Sequence, residues 1–187
     1  MKQLLYCLLF LTTFSYTASA QKYIPAIKQG TVLNYAIQLK NLGQNLDLTL
    51  TFASLDDPLK IKWSVIGFGD GTFELPQASV ESATKVVLSP PDPGSTTKIA
   101  KDQSIMFISK AVFKDMITNK AFEINGQKFT VVPDTAVYKI NDKETDIIHA
   151  TAGKMELWIL NNPDFPIICQ SKGVTRGIDF YLTGVVN

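Results

Sequence analysis

The feature that most constrains this chain is a period of two, sustained over three successive runs. Leu33, Tyr35, Ile37 and Leu39 alternate with Asn34, Ala36, Gln38 and Lys40. Leu46, Leu48, Leu50 and Phe52 then alternate with Asp47, Thr49, Thr51 and Ala53, and Leu59, Ile61, Trp63 and Val65 with Lys60, Lys62, Ser64 and Ile66. Successive side chains of a strand point to opposite faces, so each run is a strand with one apolar and one wetter face, a pattern that a 3.6-residue helical period cannot use. The turn formers in Asn41-Leu42-Gly43-Gln44-Asn45 join the first two runs as a hairpin, and Gly67-Phe68-Gly69-Asp70-Gly71 ends the third. The result is an antiparallel meander whose apolar face must be covered by something else.

Beyond Pro76 the period changes. Ala78, Val80, Ala83, Val86 and Val87 suit a short helix, with Glu81 and Lys85 as an i,i+4 pair on its open side. The stiff loop Ser89-Pro90-Pro91-Asp92-Pro93-Gly94-Ser95 cannot continue it and reads as an excursion within one domain. A strand is expected at 105–108, followed by a helix at 110–119 capped by the Ser109 hydroxyl and carrying Val112, Phe113, Met116 and Ile117 at helical spacing. Asn125-Gly126 accepts the positive φ of a two-residue hairpin between Phe122 and Phe129. Further strands are expected at 136–140, 146–150, 155–160, 167–170 and 178–186. The expected fold is therefore mainly β with some helix (α+β), a strongly curved antiparallel sheet of about eight to ten strands with one or two short helices packed on its concave face.

The first twenty residues read as a leader. Lys2 supplies the positive start, 4–14 a short apolar run, and Ala18-Ser19-Ala20 the small residues a signal peptidase needs, so cleavage is expected after Ala20 and 21–187 form a single exported domain, periplasmic or secreted. Cys7 precedes most of the apolar run and follows bulky Tyr6, which argues against a lipid anchor. No other segment approaches the roughly 20 apolar residues of a spanning helix. Cleavage removes Cys7, leaving Cys169 as the one thiol, so no intramolecular disulfide forms and the core alone must hold the fold. With 18 basic against 17 acidic side chains and one arginine, Arg176, the chain has no basic excess for phosphates, and nucleic acid is not an expected partner.

Candidate chemistry is sparse. His149 is the only imidazole, no Gly-x-Ser-x-Gly elbow exists, and no nucleophile adjoins it, so a strand histidine outweighs a catalytic one. One histidine and one thiol do not complete a zinc site, and Asp142, Glu144 and Asp146 lack the glycine and spacing of a calcium loop. Gly67, Gly69 and Gly71 imitate a phosphate loop without its spacing or its lysine. Asp56 and Asp57 sit in a loop with no sign of the burial that acid/base work needs. Cys169, in an apolar run with no flanking base, reads as buried and inert. No metal and no cofactor is expected.

The apolar residues carry more information. Around Met155-Glu156-Leu157-Trp158-Ile159-Leu160 both strand faces are apolar, so something covers the second face: a helix, a sheet closing on itself, or an apolar ligand. Trp63, Phe113, Met116 and Trp158 are the candidate lining of such a cavity, and equally candidates for ordinary core. Asn161-Asn162-Pro163-Asp164-Phe165-Pro166 forms a rigid corner between strands. Gly30-Thr31-Val32-Leu33-Asn34-Tyr35 at the start, with Trp158, Asn162-Pro163-Asp164-Phe165-Pro166-Ile167-Ile168 and Gly177-Ile178-Asp179-Phe180 at the end, resembles uncharacterised secreted β-proteins of Gram-negative envelopes. Those are remotely similar in layout to lipoprotein carriers of the LolA and LppX type. The resemblance covers about a third of the expected mature chain, departs at the proline-rich loop, and implies a curved sheet that wraps helices and holds acyl chains; it assigns no binding residue. The leading expectation is a non-catalytic envelope protein that binds an apolar small molecule, a lipid or another envelope protein. A structural or adhesive module without a cavity, and an envelope hydrolase using a carboxylate pair or His149, are the alternatives.

Overall fold

A computed structural model describes residues 22–40, 42–87, 91–133, 137–173 and 178–187. The expected leader at 1–20, Ser89 and Pro90 of the stiff loop, and Ala136 at the start of one expected strand lie outside the described residues. The three alternating runs form β1 (Val32–Leu39), β2 (Gln44–Ser54) and β3 (Leu59–Val65), paired antiparallel with Tyr35 opposite Leu48 and Leu50 opposite Trp63. Cross-strand neighbours share a face, so this register gathers all the apolar positions on one side.

The glycine-rich segment after β3 does not end the meander but begins a fourth strand. Ile66, Gly67 and Phe68 make a tight turn, and β4 (Gly69–Leu75) returns along β3 with Gly71 opposite Trp63. Gly67 has φ of 80°, which favours glycine. Gly71 is needed for space: a Cβ there would stand 2.8 Å from the Trp63 indole nitrogen and 2.7 Å from the Ser95 carbonyl oxygen. The pattern that imitates a phosphate loop is thus a turn and a seat for a tryptophan.

The sheet grows in both directions from the meander. On one side β6 (Thr96–Lys98) pairs with β4 in parallel, making the sheet mixed at that edge instead of wholly antiparallel. On the other side, β1 pairs with the last strand, β15 (Ile178–Val186). There follow β14 (Ile168–Lys172), β13 (Met155–Leu160), β12 (Ile147–Ala152), β9 (Gln127–Val132) and β8 (Ala121–Ile124). The order β6-β4-β3-β2-β1-β15-β14-β13-β12-β9-β8 makes eleven strands, with β4 and β6 beyond those read from periodicity; of the strand expected at 136–140, β10 (Lys139–Ile140) pairs with β11 (Lys143–Glu144) in a separate ribbon, and the large sheet does not close into a barrel. The β8–β9 hairpin turns on Asn125 and Gly126, both at positive φ, 55° and 73°, as the Asn-Gly pair predicts.

Two short helices cover the sheet. The longer, α2 (Lys110–Asn119), is capped by Ser109, whose Oγ accepts the Val112 N–H at 3.3 Å, and it buries Val112, Phe113 and Met116. The shorter, α1 (Gln77–Ser82), stops earlier than the spacing predicts, because Ala83 leaves the helical region. The chain then runs as β5 (Lys85–Val86), parallel to β7 (Gln103–Ser104). The expected Glu81–Lys85 pair is therefore absent: Lys110 holds Glu81 at 2.9 Å and Asp102 holds Lys85 at 2.8 Å. Residues 105–108 are buried but not a regular strand; Met106 takes φ of 54° and Phe107 makes a single bridge to Ile167.

The sheet curls round its apolar face. Strands in a sheet lie roughly 4.8 Å apart, so β2 and β13, four steps apart, would be about 19 Å distant if flat. Yet the ring of Phe52 on β2 meets Phe165, in the corner after β13, at 5.4 Å, and Phe165 meets Phe107 at 6.0 Å. The corner is fixed by Asn162, whose Oδ1 accepts the N–H groups of Asp164 and Phe165. Phe165 is held by these two aromatic rings.

Candidate functional site

The concave face is filled at one end and hollow at the other. Where β1 ends, β2 begins, β3 turns into β4 and β15 starts, the same alternation that builds the core leaves a cavity of about 520 Å³. Its walls are Ile37 and Leu39 of β1, Leu46, Leu48 and Leu50 of β2, Trp63 and Val65 of β3, Phe73 of β4, and Ile178 and Phe180 of β15. Val87, Pro91, Ile105 and Met106, from the segment that crosses the concave face, close its inner side. The size falls within the roughly 300–1,000 Å³ of small-molecule sites.

Its chemistry is uniform. Apart from the Gln44 amide and the Trp63 indole N–H, every described lining side chain is apolar. Trp63 is 2% exposed, and its Nε1 finds no hydrogen-bond partner among the described residues. Buried indole N–H groups are usually paired, so Trp63 sits there at a cost that the packing of its ring over Gly71 offsets. Phe68 and Phe73 flank the ring at 6.1 and 6.4 Å.

The mouth is lined by hairpin tips. Leu42 of the β1–β2 turn and Ile66 and Phe68 of the β3–β4 turn all face the cavity, and they are 67%, 82% and 47% exposed. Tight turns are normally polar, because an apolar side chain there gains nothing from folding. Three on one rim, continuous with an apolar cavity, make a surface that a hydrocarbon crosses without meeting a charge.

The structure separates the four candidate lining residues. Trp63 lines the cavity, whereas Phe113 and Met116 lie on the inner side of α2, within the continuous core at the filled end. Trp158 faces outward from β13, apart from that core. Its ring stacks on His149 of β12 at 4.3 Å and 7° between planes, and the Lys172 ammonium lies over it at 4.8 Å. The second apolar face of β13 thus meets His149 and Lys172 of the neighbouring strands at Trp158. Sequence reasoning missed the rim and Phe180; the available signal was an isoleucine and a phenylalanine in a glycine-rich turn.

The remaining titratable candidates lie away from the cavity walls. His149 Nε2 lies 3.0 Å from Glu156 Oε2, an imidazole–carboxylate pair on the outer face of the sheet. Cys169 is wholly buried, and burial pushes its thiol well above the usual range, opposite to what a nucleophile needs. Asp57 accepts the Gln77 N–H at the start of α1, and Asp146 accepts from the Asn161 amide. Among the described residues no three histidines, cysteines or carboxylates cluster as a metal site, and no helix is long and apolar enough to cross a membrane. Comparison with known proteins returns no family model, no curated protein and no solved structure that matches this chain.

Proposed function

We propose that the protein binds an apolar small molecule or lipid chain in the hollow end of its curved sheet, without catalysing a reaction, and that it does so outside the cytoplasm. The supporting observation is the cavity of about 520 Å³ with hydrocarbon walls and a hydrocarbon rim. A folded chain of this size normally closes such a space, because each uncontacted apolar wall forgoes dispersion and burial. Leader-like residues 1–20 and the distant resemblance to envelope carriers support the location and the ligand class.

The two tryptophans provide the test. Trp63 lines the cavity and Trp158 lies on the opposite face of the sheet, so a fatty acid brominated in mid-chain quenches only the residue it lies against. In a Trp158→Phe protein, saturable quenching of Trp63 is expected; in a Trp63→Phe protein, the fluorescence of Trp158 should stay unchanged. Equal quenching of both, or of neither, overturns the cavity as the binding site.

A further inference from the structure

Resting on that reading, we propose that Phe180 is the partition that sets how long a hydrocarbon chain the cavity accepts. A second hollow, of about 40 Å³, is walled by Ile124, Phe129, Leu157 and Ile168, with Asn125, Gln127 and Ser171 adding polar groups. Among the described residues, Phe180 alone lines both spaces. Its ring is 4% exposed and fixed in place: Tyr35 packs edge-on against it at 5.8 Å, and the Tyr35 hydroxyl is itself tied to the Ile168 carbonyl at 3.0 Å. A chain that enters past Leu42 and Phe68 therefore meets a held aromatic ring before it reaches the second hollow.

The placement of polar groups gives the orientation and the ligand class. Gln44, the only amide among the described lining residues of the larger cavity, is exposed at the mouth, and none of the described lining residues is charged. With Gln44 at the mouth and Trp63 Nε1 the other polar atom of the described lining, the ligand is an amphiphile with its polar end at the mouth and its methyl end against Phe180. Behind the ring, Ser171 Oγ is buried without a partner among the described residues, so the second hollow is not lined by hydrocarbon alone.

The test is the affinity of the purified protein for the saturated series octanoate, dodecanoate, hexadecanoate and eicosanoate, with Phe180→Leu and Phe180→Ala beside the natural chain. Each added methylene that becomes buried raises affinity about fourfold, and the rise stops where the chain end meets a wall. The expected result is a plateau in the natural protein that moves to longer acids in Phe180→Leu and further in Phe180→Ala. A plateau at the same length in all three proteins overturns the role of Phe180 while leaving the cavity standing. No saturable binding of any acid to the natural protein overturns the cavity reading, and this inference with it. Phe180→Leu keeps most of the buried carbon, so it carries the test if Phe180→Ala does not fold.

Discussion

The two ends of the concave face are built from the same strands and end up opposite in character. On β2, Phe52 at the filled end is 1% exposed against Phe165, while Leu46 and Leu48, on the same face and only a few residues away, face open space. On β3, Leu59 and Ile61 are sealed in the core and Val65 lines the cavity. Nothing in the alternation distinguishes the two ends, since each offers leucine, isoleucine and an aromatic ring to the same side. The difference comes from what crosses the face. The corner at 161–166, α1, α2 and residues 105–108 bring Phe165, Val80, Met116 and Phe107 to one end; among the described residues of the crossing segments, Val87, Pro91, Ile105 and Met106 reach the wall of the other. A strand pattern specifies a face, and the distant segments decide whether that face becomes core or container.

The sharpest way to break this comparison is truncation at both ends of one strand. Phe52→Ala removes a fully packed ring and is expected to cost about 3–5 kcal/mol of unfolding free energy. Leu48→Ala, on the cavity wall, leaves little new void because the void already exists, and should cost under about 1 kcal/mol. Urea denaturation of the two variants measures both. Comparable losses at the two positions would mean that the hollow end is packed in solution.

Ionisation separates the two ends at smaller scale. Tyr35, Tyr138 and Cys169 cluster at the filled side, with Tyr138 Oη donating to the Cys169 carbonyl at 2.9 Å, and burial is the main cause raising the pKa of all three. A group whose folded pKa is raised contributes its full stability below its unfolded pKa and loses it as pH rises beyond that value. The native state should therefore weaken from roughly pH 8.5, where an unfolded thiol titrates, by about 1.4 kcal/mol per pH unit, and faster above roughly pH 10 as the two tyrosines join. In a Cys169→Ala protein the first part of this slope should vanish, whatever its absolute stability. A slope unchanged by the substitution would show that Cys169 is not sealed in the core.

How much of this was legible beforehand follows from which interactions are local. The meander, the Ser109 cap, the α2 bounds and the Asn125-Gly126 turn depend on neighbours in sequence, and they stand in the structure where the pattern puts them. β4 was hidden because Gly69 and Gly71 look like a turn, although Gly71 serves to seat Trp63 from the adjacent strand. Helix α1 is shorter than its spacing suggests because β5 is captured by β7, a pairing 18 residues away that no local window contains. Of the four candidate lining residues, Trp63 alone lies at the cavity, since strand parity assigns a face but not an end; Trp158 lies on the other side of the sheet altogether.

The rim offers the smallest effect on stability. Ile66 and Phe68 are so exposed that their removal withdraws little burial, so Ile66→Ser and Phe68→Ser should each leave the unfolding free energy within about 0.5 kcal/mol of the natural protein. Their role, if hydrocarbon enters past them, lies in the approach: a hydroxyl at the mouth holds water that an incoming chain must displace, slowing association of hexadecanoate without changing where its plateau falls. Stopped-flow quenching of Trp63 separates these quantities. A loss of stability like that of Phe52→Ala would place the two side chains inside a packed core, and unaltered association kinetics would put the mouth elsewhere on the sheet.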